Sequence, residues 1–274
     1  MQIRFWGVRG SVAVSGAPFV DVGGNTPCVE LLCEGHRLIL DGGTGLRALG
    51  ASLGPGPVRD TTLVFSHVHW DHIQGVPFFA PLFHPGSEVR FLGASRNSGT
   101  VRDALDAQMR PPRFPIGLDA FRGKLSFGDV ADHVPIEVGP FRLRSVDLHH
   151  PDGVRAWRVE AGGRSVVYAT DVEHFGELDP RLVALAHEAD VLIHDAQYTS
   201  DEYAGRTGIS RRGWGHATVD EAVAVAERAG VRQLVLFHHD PERTDADVAQ
   251  LERFAQERFD RTLAAREGRS LALA

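Results

Sequence analysis

The segment His67-Val68-His69-Trp70-Asp71-His72 places three imidazoles and one carboxylate within six residues, directly after the apolar run Leu63-Val64-Phe65. Such a run reads as a short buried strand, which sets the cluster at its C-terminal end. Side chains at i and i+2 of an extended segment project to the same side. His67 and His69 can therefore grip one metal ion, while Asp71 and His72, at the bend that follows, face a second. Neutral imidazole and carboxylate are ligands that zinc, manganese and iron accept, and a cluster this dense is costly to bury without a cation. A solvated polar loop would draw instead on ordinary turn residues. Two ions about 4 Å apart would acidify a shared water, clamp an anionic oxygen and stabilise charge building at a tetrahedral carbon or a pentavalent phosphorus.

Residues of the same type follow apolar strands farther along: His149-His150 after Leu143 to Leu148, Asp171 after Val166 to Ala169, and His238-His239 after Leu234 to Phe237. Ligands at strand ends in two halves, about 1–135 and 136–274, would converge on one cleft between two sheets. Apolar alternation from Pro27 to Leu40 predicts a hairpin turning at Glu34-Gly35-His36 and ending in the bend Asp41-Gly42-Gly43-Thr44-Gly45. Ile73 to Phe83 reads as a short interrupted helix, Thr100 to Leu105 opens another, and Pro85 to Pro135 is the least regular stretch. Strands recur at Phe141 to Leu148, Trp157 to Glu160, Ser165 to Ala169, Val191 to His194 and Leu234 to Phe237. Thr218 and Glu221 form a capping box for a helix closed by Gly230, and Thr244 to Phe259 reads as a final amphipathic helix. Hairpins early and strand–helix alternation late predict an α/β domain over residues 1–274, with sheets packed between helical layers.

With 43% hydrophobic and 24% charged residues, the 274-residue chain can bury a sizeable core. Its 36 acidic against 29 basic side chains give a formal charge of −7, which argues against extended nucleic-acid binding and for a small substrate or a short stretch of a larger one. Neither an apolar signal core nor a membrane-length apolar run is present, which predicts a cytoplasmic protein with no membrane partner. Cys28 and Cys33 lie away from the histidine clusters, so neither a thiolate ligand nor a structural disulfide is expected.

The ordered set Asp41-Gly42-Gly43-Thr44-Gly45, His67 to His72, His150, Asp171 and His238 resembles the metallo-β-lactamase superfamily. The resemblance implies an αβ/βα four-layer sandwich with a two-metal hydrolytic site at one edge. Gly23-Gly24-Asn25-Thr26, Gly213-Trp214-Gly215-His216 and Leu236 to Pro241 look most like its branch of ribonuclease Z-like and cyclic phosphate phosphodiesterases. By that resemblance His67, His69 and His150 hold one divalent ion, Asp71, His72 and His238 hold the other, and Asp171 bridges them. Zinc is the expected metal, with manganese or iron as alternatives, and Asp71 and His216 are expected to act in the reaction itself. Where histidines are doubled, the family places its ligands at His150 and His238, leaving His149 and His239 hydrogen-bonded or solvated.

Asp41 is expected to orient a metal-bound histidine through its second ring nitrogen. Arg9 and Asn25 are candidates to meet a substrate phosphate, and His174 to approach the substrate or steady the metal shell. Phe114 and Phe121, among the arginines of residues 90–124, could form a lid or a base-stacking surface. The plainer reading of that stretch is a solvated insertion or a contact between copies in a homodimer. The superfamily's acyl hydrolases, lactonases and thioesterases, are the first alternative in function. A β-lactamase of the common binuclear type would offer a cysteine ligand, and flavodiiron relatives carry glutamate where this chain has His69. The tRNA-gripping arm of ribonuclease Z falls between the residues matching His150 and Asp171. Here Trp157 to Val166 reads as a tight hairpin, which favours a small or cyclic, nucleotide-like phosphodiester over tRNA.

Overall fold

The computed structural model describes residues 1–96 and 99–273. Six strands, β1 (Gln2–Gly7), β2 (Cys28–Cys33), β3 (His36–Leu40), β4 (Thr61–Val64), β5 (Glu88–Gly93) and β6 (Lys124–Asp129), lie side by side in chain order. A second sheet runs from β7 (Ile136–Val138) through β8 (Phe141–Leu148), β9 (Val154–Ala161), β10 (Arg164–Ala169), β11 (Val191–Asp195) and β12 (Leu234–Phe237) to β13 (Thr262–Ala264). The last strand, β14 (Ser270–Ala272), returns to the first sheet and pairs antiparallel with β1. Each sheet is antiparallel at one side and parallel at the other, from β3 to β6 and from β10 to β13.

The parallel strands read as continuous apolar runs because both of their faces are covered. In β4 and the residue after it, Leu63 and Phe65 turn outward and Val64 inward; in β12, Leu234 and Leu236 turn outward and Val235 and Phe237 inward. The inward sets of both sheets meet in one core around Phe5, Leu31, Leu143, Trp157, Tyr168 and Phe237. Each such large side chain contributes about 1.5–3 kcal/mol through burial. Outside the first sheet pack α1 (Gly45–Ser52), α2 (Trp70–Ile73) and α3 (Val101–Gln108). Outside the second sheet, α4 (Pro180–Ala186) and α6 (Val219–Ala229) supply the outer core, and Leu251 and Ala255 of α7 (Asp245–Gln256) join it. The short helix α5 (Ser200–Tyr203) lies between α4 and α6 in sequence. The result is the expected αβ/βα sandwich.

Helix α6 shows how local chemistry fixes these layers. Thr218 accepts from the Glu221 amide while Glu221 reaches back to the Thr218 amide, and Gly230 ends the helix in the left-handed conformation at φ 66°. Val219, Ala222, Val223, Ala226 and Ala229 then form one buried face. Residues 85–135, expected to be irregular, carry β5 and β6 of the first sheet and α3 above it. Val89 and Phe91 alternate there with exposed Glu88 and Arg90, a signal too short to separate from the surrounding glycines and prolines. No helix among the described residues is long and apolar enough to cross a membrane.

Candidate metal centre

β3, β4, β8, β10, β11 and β12 all end at one rim, and the residues just past those ends point into a common cleft. Ligand sites at the carboxyl ends of parallel strands are the general habit of such sheets. Donor atoms of His67, His69 and His150 lie within 4.8 Å of one another, and so do those of Asp71, His72, Asp171 and His238. Asp171 divides its two oxygens between these groups. Its Oδ1 stands 3.3 Å from His72 Nε2 and 3.2 Å from His238 Nε2, and its Oδ2 stands 3.7 Å from both His67 Nε2 and His150 Nε2. Asp171 and His238 sit at φ 53° and 58°, a left-handed conformation that costs a non-glycine residue about 1 kcal/mol or more.

The buried Nε2 atoms of His67 and His72 have no hydrogen-bond partner, and His69 Nδ1 and His150 Nε2 face each other at 3.0 Å. Buried ring nitrogens left in this way, beside two carboxylates, are what a divalent cation would satisfy. The charge states of most of these groups agree, while His72, despite its burial, is pushed well above the ordinary imidazole range by Asp71, Asp171 and Asp41, so a metal there would have to displace its proton. Burial holds the His67, His69 and His150 imidazoles below their ordinary range, His150 at about 4, and so in the neutral ligating form. Burial opposes ionisation of Asp71 and Asp171, but neighbouring imidazoles hold both carboxyls well below the usual range; His72 for Asp71, and His238 and His72 for Asp171, are foremost.

A second ring of residues aims the first. Asp41 is fully buried and accepts from His72 Nδ1, Ser66 Oγ and Tyr168 Oη at 2.8 Å each, and from the Ser66 amide at 2.7 Å. His150 Nδ1 donates to the Gly215 carbonyl at 2.8 Å, and Gln197 Oε1 accepts from His238 Nδ1 at 2.8 Å. Position 215 admits only glycine, since a Cβ there would lie 2.2 Å from His150 Nδ1. Beside this centre His216 donates from Nδ1 to Asp195 Oδ2 at 2.9 Å, stacks on His238 with centroids 4.9 Å apart, and lies 4.0 Å from Asp171 Oδ2. Burial alone would lower its pKa, but Asp195, then Asp171 and Asp71, push the imidazole up to about 9.

Several candidates lie elsewhere. Arg9 is fully buried, donates to the carbonyls of Gly23 and Arg243 and has Asp245 3.8 Å from its Nη2. Asn25 is held by Glu267 through both its amide nitrogens. His174 stacks on His194 at 5.5 Å, meets its Nε2 at 3.4 Å and accepts from the Asp179 amide, so both ring nitrogens are engaged. His239 donates to the Ala265 carbonyl at 3.0 Å, while His149 is exposed against Phe175. Phe121 packs on Phe83, and Phe114 packs on Phe78 in a 470 Å³ cleft that Trp70 and Arg113 also line. Asp195, Gln197, Ser66, Tyr168 and Glu173 were not anticipated. Asp195 had a signal, because it ends the apolar run Val191-Leu192-Ile193 just as Asp171 ends that of β10.

Burial holds His174 and His239 at about 3, whereas an unfolded histidine titrates near about 6.5. The unfolded chain therefore takes up protons that the fold refuses, and stability falls as pH drops from about 6.5 toward 3, by about 1.4 kcal/mol per pH unit for each group. Urea unfolding at pH 7 and pH 5 checks this: His239→Asn should decline less steeply than the parent. Equal slopes would show that His239 is charged in the fold.

A family model for the beta-lactamase superfamily domain matches residues 36–239, which span this rim from β3 to β12. The chain belongs to that superfamily. Among its relatives is the ribonuclease Z of Natronomonas pharaonis, 27% identical over an alignment covering 94% of this chain and 93% of that one. Among solved structures, a diphosphatase from the PhnP family superposes with a TM-score of 0.74 at 18% identity, covering 100% of this chain and 98% of that one. The human tRNase Z short form gives 0.68 at 18% identity, with 100% of both chains covered.

These superfamily relatives overturn the expectation of a small phosphodiester without extended nucleic-acid binding, since full-length relatives are named as ribonucleases. Net charge was a poor guide because electrostatics act locally, and Arg211 and Arg212 lie beside this site despite the overall −7. The connection from β9 to β10 is indeed a tight Gly162-Gly163 turn, but that removes only one place for an arm.

Proposed function

We propose that the chain is a hydrolase of phosphodiesters, RNA included, working with two divalent ions, zinc foremost. His67, His69 and His150 would hold one ion and Asp71, His72 and His238 the other, with Asp171 offering one oxygen to each. Ions held there would supply positive charge for the phosphoryl oxygens and acidify a water between them. The observation that carries the phosphodiester reading is the His216–Asp195 pair set against Asp171. Asp195 fixes the His216 ring through Nδ1 and keeps the imidazole charged, leaving Nε2–H as the proton for a departing alkoxide. An acyl hydrolase expelling a thiolate has less need of this acid, whereas a lactonase, which also expels an alkoxide, would share it. The names of the relatives, ribonuclease Z and diphosphatase, point the same way.

The reading is tested with zinc- or manganese-loaded protein on bis(p-nitrophenyl) phosphate, p-nitrophenyl phosphate, a thioester, a lactone and single-stranded RNA. The diesters should turn over fastest. Preferred hydrolysis of the thioester or lactone, with no diester activity, would move the assignment to acyl chemistry.

A further inference from the structure

The metal centre is indifferent to what its phosphate is attached to, but the rim above His216 is not. Glu173 is buried at 1% exposure and accepts from Tyr203 Oη at 2.7 Å, the Gly213 amide at 2.6 Å and the Gly215 amide at 2.8 Å. A buried carboxylate with three donors is a strong anchor, and this one pins the backbone on both sides of Trp214. From the other side, the Gly215 carbonyl is tied to His150. Trp214 thus stands two residues from His216, on backbone locked to the metal centre, yet its indole is 47% exposed. A tryptophan that served packing alone would bury that ring.

Its surroundings alternate rings with cations. The Arg211 guanidinium lies 4.3 Å from the Trp214 centroid, and that of Arg212 lies 5.9 Å from the ring of Phe175. Phe175 is itself 43% exposed and is held at φ 52°, where a bulky residue is strained. Neither Arg211 nor Arg212 forms an ion pair among the described residues. Exposed rings interleaved with unpaired guanidinium groups are how proteins hold single-stranded nucleic acid, rings against bases and cations against phosphates.

Resting on the phosphodiesterase reading, we propose that Trp214 is a base-stacking platform: the substrate carries a nucleoside beside its scissile phosphate, the base lies on the indole, and Arg211 and Arg212 meet the backbone phosphates. The competing surface is Trp70, 63% exposed over the 470 Å³ cleft. Trp70 stands between the ligands His69 and Asp71, but among the described residues lining its cleft Arg113 is the one guanidinium and His216 is not included.

Titration calorimetry on the zinc-loaded protein tests the platform without turnover, by comparing adenosine 5′-monophosphate with ribose 5-phosphate. The nucleotide should bind tighter by on the order of 10-fold or more, the usual worth of one stacked base. Trp214→Ala should bring the two ligands together, Trp214→Phe should keep most of the difference, and Trp70→Ala should keep all of it. A ratio that survives Trp214→Ala overturns the platform, whatever happens to overall affinity, and so does a parent protein that binds both ligands alike. A single-stranded tetranucleotide whose linkages are replaced by hydrolysis-resistant methylenephosphonates names the source of the base. Binding tighter than the mononucleotide, and weakened by Trp214→Ala, identifies an RNA chain; equal binding identifies a single nucleotide unit. Failure of the phosphodiesterase reading would show separately, as no hydrolysis of bis(p-nitrophenyl) phosphate by the same preparation.

Discussion

Asp171→Ala is expected to weaken metal binding in both halves of the centre and to abolish hydrolysis. Among the described residues no other side chain offers one carboxylate oxygen to His72 and His238 and the other to His67 and His150. Without it each half keeps its imidazoles but loses the charge shared between them. The loss of rate should be on the order of 10³-fold or more, since removing a single electrostatic donor already costs about 10²- to 10³-fold. Elemental analysis of the purified variant reads the first effect directly. Retention of two ions with unchanged affinity would show that Asp171 does not bridge.

His216→Ala is expected to keep its metal content and to lose on the order of 10²- to 10⁴-fold in rate on a diester with a poor alkoxide leaving group, the range of a positioned general acid. With p-nitrophenolate, which departs without a proton, the loss should shrink. The geometry behind this is the hydrogen bond from His216 Nδ1 to Asp195 at 2.9 Å, which fixes the ring and leaves its other nitrogen for the substrate. Asp195→Asn should follow in the same direction with a smaller effect, because it disturbs the ring without removing it. Equal losses for both leaving groups would make His216 a positioning residue. A fall in bound metal would make it a ligand, a role that the approach of donor atoms from Asp171, Asp195, His216 and His238 to within 4.8 Å of one another leaves room for.

The inner residues of the centre were legible because each follows an apolar strand, and a strand with both faces buried announces itself as an unbroken apolar run. His67 after Leu63 to Phe65, and His238 after Leu234 to Phe237, are of this kind. The supporting ring was harder to see. Tyr168 lies inside β10 and reads as core until its hydroxyl is found on Asp41, and Glu173 reads as an ordinary acidic turn residue until Gly213 and Gly215 fold back onto it. Such partners are separated from their targets by 40 to 127 residues, so spacing carries no trace of them. Arg9 and Asn25 misled for the opposite reason: their residue types suit a phosphate, but burial had already committed them to backbone carbonyls and to Glu267. The tight turn after β9 was legible, whereas the inference from it and from net charge to a small substrate was not sound.

The central claim, a two-metal phosphodiesterase, meets its most direct test in a titration of chelator-treated protein with zinc while hydrolysis of bis(p-nitrophenyl) phosphate is followed. Activity should be absent without metal, should rise with added zinc and should level off at two ions bound per chain. Full activity without metal, or a plateau at one ion per chain, would contradict it.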